Sequence, residues 1–239
     1  MRWLVATVAE TIPETVSAVT LRLDAPDWAG HRAGQHVDVR LTAEDGYSAQ
    51  RSYSIASRPG AEHLELTVVR LDDGEVSPYL TTVLDVGDQI ELRGPIGGYF
   101  VWEPGDARPV LLVGGGSGVV PLMAMLRHHR AVDHPGPMHL VYSARTAGDV
   151  LYREELAQLA DGNRAVTITL TREQPTGWPG RHGRVDAALL AELGWSPDLA
   201  PRCYVCGPTP FVEAAADALV AIGHRPFDVR TERFGPTGD

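Results

Sequence analysis

The sequence predicts two architectures in tandem: an antiparallel β-barrel, then a parallel sheet flanked by helices. Three observations carry that expectation. Through residue 104, apolar and polar side chains alternate with the strand period. Glycine and proline pairs interrupt the alternation at the spacing of short strands. Beyond Pro109 the rhythm changes to continuous apolar runs separated by helical stretches, as in strands covered on both faces.

Leu21 and Leu23, then 35–41, 64–68 and 89–93, read as strands in order. Turns fall at Gly30, Gly34, Gly46, Pro59-Gly60, Asp73-Gly74 and Gly87-Asp88. Such a series closes into a small barrel or sandwich. The tract 102–109, rich in proline, glycine and charge, reads as a linker and divides domains 1–104 and 105–239. After it come strand 110–113, helix 119–130, strand 138–142 and helix 150–159. Strand 165–170, helix 185–193, strand 203–205 and helix 210–222 complete the series. There is no internal repeat.

Composition excludes several functions. At 239 residues the chain holds one or two domains, and 44% hydrophobic with 22% charged residues suits a packed core. All 21 basic residues are arginine, so Schiff-base and P-loop lysines are absent. The net charge of −10 argues against a nucleic-acid partner. Residues 1–104 hold 8 arginines against 16 acids, and residues 105–239 hold 13 against 15. Two cysteines, Cys203 and Cys206, exclude a disulfide framework and a cysteine-ligated iron–sulfur cluster within this chain. Three apart on a strand, they point to opposite faces, which disfavours a dithiol. No metal-ligand set stands out. The amino terminus lacks a signal-peptide core, and the longest uncharged run, 110–126, is broken by glycines and Pro121. No membrane span and a cytoplasmic location are expected.

Six motifs carry chemistry. Arg51-Ser52-Tyr53-Ser54 puts Arg51 and Tyr53 on one strand face. The arginine suits a phosphate, the ring a flat heterocycle, and Ser54 a ring nitrogen. The plain alternative is a strand with an exposed arginine. Val68-Val69-Arg70 precedes Gly74-Glu75-Val76-Ser77, a turn whose N–H groups suit a pyrophosphate. Its alternative is a hairpin turn with Ser77 as a helix N-cap. Gly94-Pro95-Ile96-Gly97 reads as a close-approach turn or a barrel rim. Gly114-Gly115-Gly116-Ser117-Gly118-x-x-Pro121 follows a buried strand and opens a helix, the context of a phosphate-binding turn. Cys206-Gly207-Pro208 ends a later strand, and Glu232-x-Phe234 lies near the end of the chain.

In this order and spacing the motifs resemble those of the ferredoxin–NADP⁺ reductase family, and the resemblance spans nearly the whole chain. It implies an FAD-binding β-barrel followed by a Rossmann-like NAD(P)-binding domain. By resemblance, Arg51 contacts the flavin phosphates, Tyr53 packs on the flavin ring, Ser54 lies near flavin N5, and Ser52 belongs to the same cofactor-binding tract. Val68, Val69, Arg70, Gly74, Val76 and Ser77 hold the pyrophosphate and ribityl chain. Gly115, Gly116, Ser117 and Gly118 accept the nicotinamide nucleotide's pyrophosphate. Cys206, Gly207, Pro208 and Phe234 line the nicotinamide side. Ser54, Cys206 and Glu232 are the candidate catalytic residues, aligning hydride transfer. Thr171 and Arg172 match positions that read a 2′-phosphate, with Arg181, Ser143 and Arg145 as further contacts. NADPH is therefore expected, with NADH possible because Glu173 is adjacent.

Two departures matter. Without four ligating cysteines, the acceptor is a separate ferredoxin-like or haem protein, or a small molecule. Residues 235–239 follow Phe234, so no stacked terminal aromatic is expected. Two other readings stay open: an NAD(P)H:flavin reductase with diffusible flavin, and an electron-transfer subunit of a larger complex. Arg32, Arg58 and Arg93 form a candidate docking patch for an acidic ferredoxin. Oligomeric state is left open.

Overall fold

The computed structural model describes residues 2–105 and 107–235. Asp106 of the linker and the tail after Gly235 lie outside the described residues. The chain divides near Trp102 into two compact units.

Six antiparallel strands build the first unit: β1 (Leu4–Thr15), β2 (Ala18–Asp24), β3 (His36–Thr42), β4 (Ser48–Ser54), β5 (Leu64–Val69) and β6 (Gln89–Ile96). Their order is β4-β3-β6-β1-β2-β5. The outer strands meet again through the bridge Ile55↔Leu66 and a 2.8 Å bond from the Ala56 N–H to the Glu65 carbonyl. The sheet thus curls into the expected barrel. Alternate residues fill it: Leu21 and Leu23, Val37 and Val39, Leu64, Leu66 and Val68, Ile90 and Leu92. A short helix, α1 (Ser77–Thr82), adds Leu80 to that core.

Outside, Trp3 lies between the Arg40 and Arg93 guanidiniums, 4.2 and 4.8 Å from its ring centre. The same arginines pair with Glu91 and Asp38, each at 2.7 Å. Arg93 is therefore paired within the barrel while its side chain stays one third exposed.

The second unit is a parallel sheet of β7 (Val110–Gly115), β8 (Met138–Ala144), β9 (Arg164–Leu170), β10 (Arg181–His182), β11 (Arg202–Pro208) and β12 (Val229–Phe234). The order is β10-β9-β8-β7-β11-β12. Every residue of β7 and β8 is buried, as their continuous apolar runs require. The chain order reverses beside β7, so its carboxyl end is the switch point where ligands bind open α/β sheets. Helices α2 (Val119–Ala131), α3 (Arg153–Leu159), α4 (Ala187–Leu193) and α5 (Thr209–Ala221) cover the sheet. No helix among the described residues is long and apolar enough to cross a membrane.

Helix boundaries moved for local reasons. The helix expected from Val150 starts at Arg153, because Tyr152 takes a left-handed φ of 54°. The stretch before it is a short 3₁₀ turn closed by a reciprocal Thr146–Asp149 cap. The helix expected from Val185 starts at Ala187, where the Asp186 side chain accepts the Leu189 N–H at 2.8 Å.

A buried polar knot ties α2 to β9. The His129 Nε2 lies 2.7 Å from the Gly136 carbonyl, and its Nδ1 lies 3.3 Å from an Arg164 terminal nitrogen. A neutral ring fits: one nitrogen donates, the other accepts. Burial foremost, then the His134 and Arg164 charges, holds His129 below the ordinary histidine pKa.

In the unfolded chain His129 titrates near ~6.5, so the unfolded state binds more protons below that pH. Its stabilising contribution is complete above ~6.5 and declines as pH falls. The melting temperature should drop from neutral pH to mildly acidic pH. His129→Gln should make that decline shallower; an unchanged slope would contradict the assignment.

Candidate functional site

Strand β4 presents the first cluster. Tyr53 packs partly buried against the barrel core, and burial raises its hydroxyl to about 12, leaving a neutral ring face. Arg51 donates from Nη1 to the Gln50 carbonyl at 2.7 Å and from Nη2 to Glu75 Oε2 at 3.1 Å. Glu75 Oε1 also accepts the Tyr47 hydroxyl at 2.6 Å. Arg51 and the Gly74–Ser77 turn, read separately in the sequence, are thus joined. Glu75 was not singled out as a site residue, although it is the acid between the turn's glycine and serine. Ser54 is 6% exposed, and its Oγ has no hydrogen-bond partner among the described residues. Such a buried orphan hydroxyl fits a heteroatom of a bound ring.

The remaining first-unit candidates divide by location. Ser52 faces Asp38 and donates to it at 2.7 Å. Val68 and Val76 lie in the core, so only their backbones can reach a ligand; Val69 is half-buried. Arg70 bonds Asp72 at 2.9 Å. Ser77 is the first residue of α1, not its cap, and its Oγ accepts the Leu71 N–H at 3.0 Å. That bond closes the turn and replaces the expected N-cap. Gly94 is spent on packing: a β-carbon there would lie 2.7 Å from Val37.

The second cluster lies at the carboxyl ends of β7 and β11. After Gly115 the chain makes a 3₁₀ turn, Gly116–Gly118, into α2. A β-carbon on Gly118 would stand 2.1 Å from the Cys206 carbonyl oxygen, and one on Gly115 2.7 Å from the Phe211 ring. Gly207, at φ +156°, would meet the Gly115 carbonyl at 3.0 Å. Two glycine turns therefore touch backbone to backbone. Gly116, at φ +54°, has open space around it. The 13-residue α2 has neither a side-chain cap nor an acid in its first turn. Its end therefore fits an anion held by backbone N–H groups.

Cys206 is registered between Gly114 on β7 and Glu232 on β12. Burial first, then the Glu232 charge, pushes its thiol well above the ordinary range. It is a neutral packing group, unsuited to act as a thiolate. Burial raises the Glu232 carboxyl to about 7, so near neutrality it can hold or release a proton. Phe234 is registered with Pro208. Cys203 joins the core on the opposite face, and both thiols are free.

The third group sits at the ends of β8 and β9. Ser143 is registered with Gly115 and Thr169. The Thr171 N–H bonds the Ala144 carbonyl at 3.0 Å, and the Arg172 N–H bonds the Arg145 carbonyl at 2.9 Å. Arg145 and Arg172 are exposed, and neither guanidinium has an ion-pair partner among the described residues. Arg181 differs: it is ion-paired with Glu192. The Glu173 carboxylate accepts the Ala147 N–H.

The comparisons agree with this division. The oxidoreductase FAD-binding domain model matches residues 4–101, and the oxidoreductase NAD-binding domain model matches 112–217. Ferredoxin–NADP reductase B of Sorangium cellulosum is 39% identical over 182 residues, 73% of each chain. The propane 2-monooxygenase reductase component of Mycolicibacterium goodii is 31% identical over 221 residues, 87% of this chain and 61% of that protein. The chain spans about three fifths of the length of the oxygenase reductase components it matches. The flavohem-like FAD/NAD-binding domain of nitric oxide dioxygenase from Vibrio cholerae superposes with a TM-score of 0.87 at 26% identity, covering 98% of this chain and 99% of that one.

The cradle geometry makes a contrast. Gly118→Ala forces backbone apart and should cost ~1–3 kcal/mol as overpacking. Gly116→Ala meets no atom and should cost only ~1–2 kcal/mol of left-handed strain. Melting curves, with nicotinamide-nucleotide affinity measured alongside, should show Gly118→Ala losing binding more severely. Equal affinity loss in both variants would contradict the close-packing account.

Proposed function

Because this chain belongs to the ferredoxin–NADP reductase family of FAD- and NAD-binding oxidoreductases, we propose that it carries electrons from NADPH to a separate protein acceptor. When bound, the nicotinamide and the flavin supply the hydride chemistry themselves. The protein's task is to seat them and manage charge and protons nearby.

In this reading residues 1–104 form the flavin domain and 105–239 the nicotinamide domain. Arg51, Ser52 and the turn from Gly74 through Val76 to Ser77 take the flavin phosphates, with the Val68–Arg70 backbone beside the ribityl chain. Tyr53 offers its neutral ring to the flavin, and the Ser54 hydroxyl a hydrogen bond. Gly115, Gly116, Ser117 and Gly118 take the nicotinamide nucleotide's pyrophosphate on bare backbone. Cys206 contributes small neutral bulk, with Gly207, Pro208 and Phe234 nearby, and Glu232 holds a proton near pH 7. The single observation that carries the reading is the glycine cradle, where Gly118 and Gly207 pack backbone to backbone beside the uncapped end of α2.

The NADPH preference rests on Arg172 and Arg145, whose charge is uncommitted beside Thr171 and Ser143. Arg181 is the weaker candidate, because Glu192 already holds it. The relatives named as oxygenase reductase components support an acceptor that belongs to an oxygenase system; an iron–sulfur or haem protein is the acceptor proposed. A cytoplasmic location is part of the same proposal.

Arg172→Ala should lower kcat/KM for NADPH by about tenfold or more, the scale of one lost charge-assisted contact. NADH should change little. Steady-state reduction of an added protein acceptor with each coenzyme measures both values. Equal loss for the two coenzymes would contradict the 2′-phosphate assignment.

A further inference from the structure

Arg51 is an arginine with its terminal nitrogens already engaged. Nη1 bonds the Gln50 carbonyl at 2.7 Å, and Nη2 meets the Glu75 carboxylate at 3.1 Å. Phosphate is best held by two parallel N–H···O bonds from one guanidinium. Here one of those nitrogens faces a carboxylate from the turn that would share the same phosphate. Glu75 is itself held, because the Tyr47 hydroxyl donates to its other oxygen at 2.6 Å. The side chains of Arg51 and Glu75 are 55% and 51% exposed. A pair so exposed is weak, and a bound phosphate can displace it.

We propose that Glu75 is an affinity-setting residue that competes with the flavin phosphate for Arg51 and loosens retention of phosphorylated flavins. The inference rests on Arg51 as the phosphate ligand. Two effects act with one sign. The arginine must give up a carboxylate to bind phosphate, and the displaced carboxylate stays close enough to repel the phosphate oxygens. Both weaken as salt screens exposed charges. Neither acts on a flavin without a phosphate.

The opposite role is that Glu75 orients Arg51 for binding, and it predicts the opposite sign. Dilution of holoprotein carrying FAD, FMN or riboflavin, with released flavin read by fluorescence, gives a Kd for each. Glu75→Gln should lower the Kd for FAD and FMN about threefold to fivefold at low ionic strength. The gain should shrink towards nothing near ~1 M salt, where the screening length is ~3 Å. Riboflavin should be unaffected. Arg51→Ala should raise the FAD Kd by about tenfold or more.

If Arg51→Ala weakens FAD while Glu75→Gln leaves it unchanged or weakens it, Glu75 is no competitor. Equal tightening of riboflavin would also overturn the proposal, by showing an effect on the ring site or the fold. If Arg51→Ala retains FAD as tightly as the parent, the phosphate reading itself falls, and the inference with it.

Discussion

A β-carbon on Gly118 would stand 2.1 Å from the Cys206 carbonyl oxygen, and much of the second unit follows from that distance. It lets the amino end of α2 close onto β11, leaving Gly116 exposed at the sheet's switch point. It sets Cys206 opposite Gly114, with Glu232 on the next strand. It also leaves the Phe211 ring to pack where a Gly115 side chain would stand. Any side chain at Gly115 or Gly118 would pry these elements apart, and interiors transmit such strain because they are close-packed.

Charge is arranged differently in the two units. Arg2, Arg22, Arg40, Arg51, Arg70 and Arg93 of the first unit are held in ion pairs among the described residues. That unit's surplus of acid therefore meets little uncommitted positive charge. In the second unit Arg145 and Arg172 keep theirs uncommitted at the strand ends. With no lysine anywhere in the chain, every basic side chain at these strand ends is an arginine. At the ends of β11 and β12 burial has the opposite effect on charge. It keeps the Cys206 thiol neutral and brings the Glu232 carboxyl into the physiological range.

The barrel and the parallel sheet were legible because their core strands obey simple periods. The alternation of β3, β5 and β6 and the unbroken apolar runs of β7 and β8 name their own burial. β1 escaped notice because its register slips at Val8/Glu10 and again at Pro13/Thr15, breaking the alternation. β12 escaped because it is an edge strand paired on one side with β11, and its Arg-Thr-Glu-Arg run carries no apolar period. Tyr152 ended a helical pattern through a backbone angle that composition does not encode. At the site, spacing gathered the glycine turns and the Arg51–Ser54 face. It could not show that Arg51 and Glu75 meet, since 23 residues separate them and the contact depends on barrel closure. Nor could it show that Ser77 closes its own turn.

Central to the proposed function is that a nicotinamide dinucleotide seated by the glycine turns reduces a flavin seated by β4. Anaerobic mixing of the FAD-loaded protein with NADPH tests it most directly. Bleaching of the visible flavin absorbance by a single equivalent of NADPH, with electrons recovered in an added protein acceptor, is the predicted result. Flavin absorbance that stays unchanged with both NADPH and NADH would contradict it.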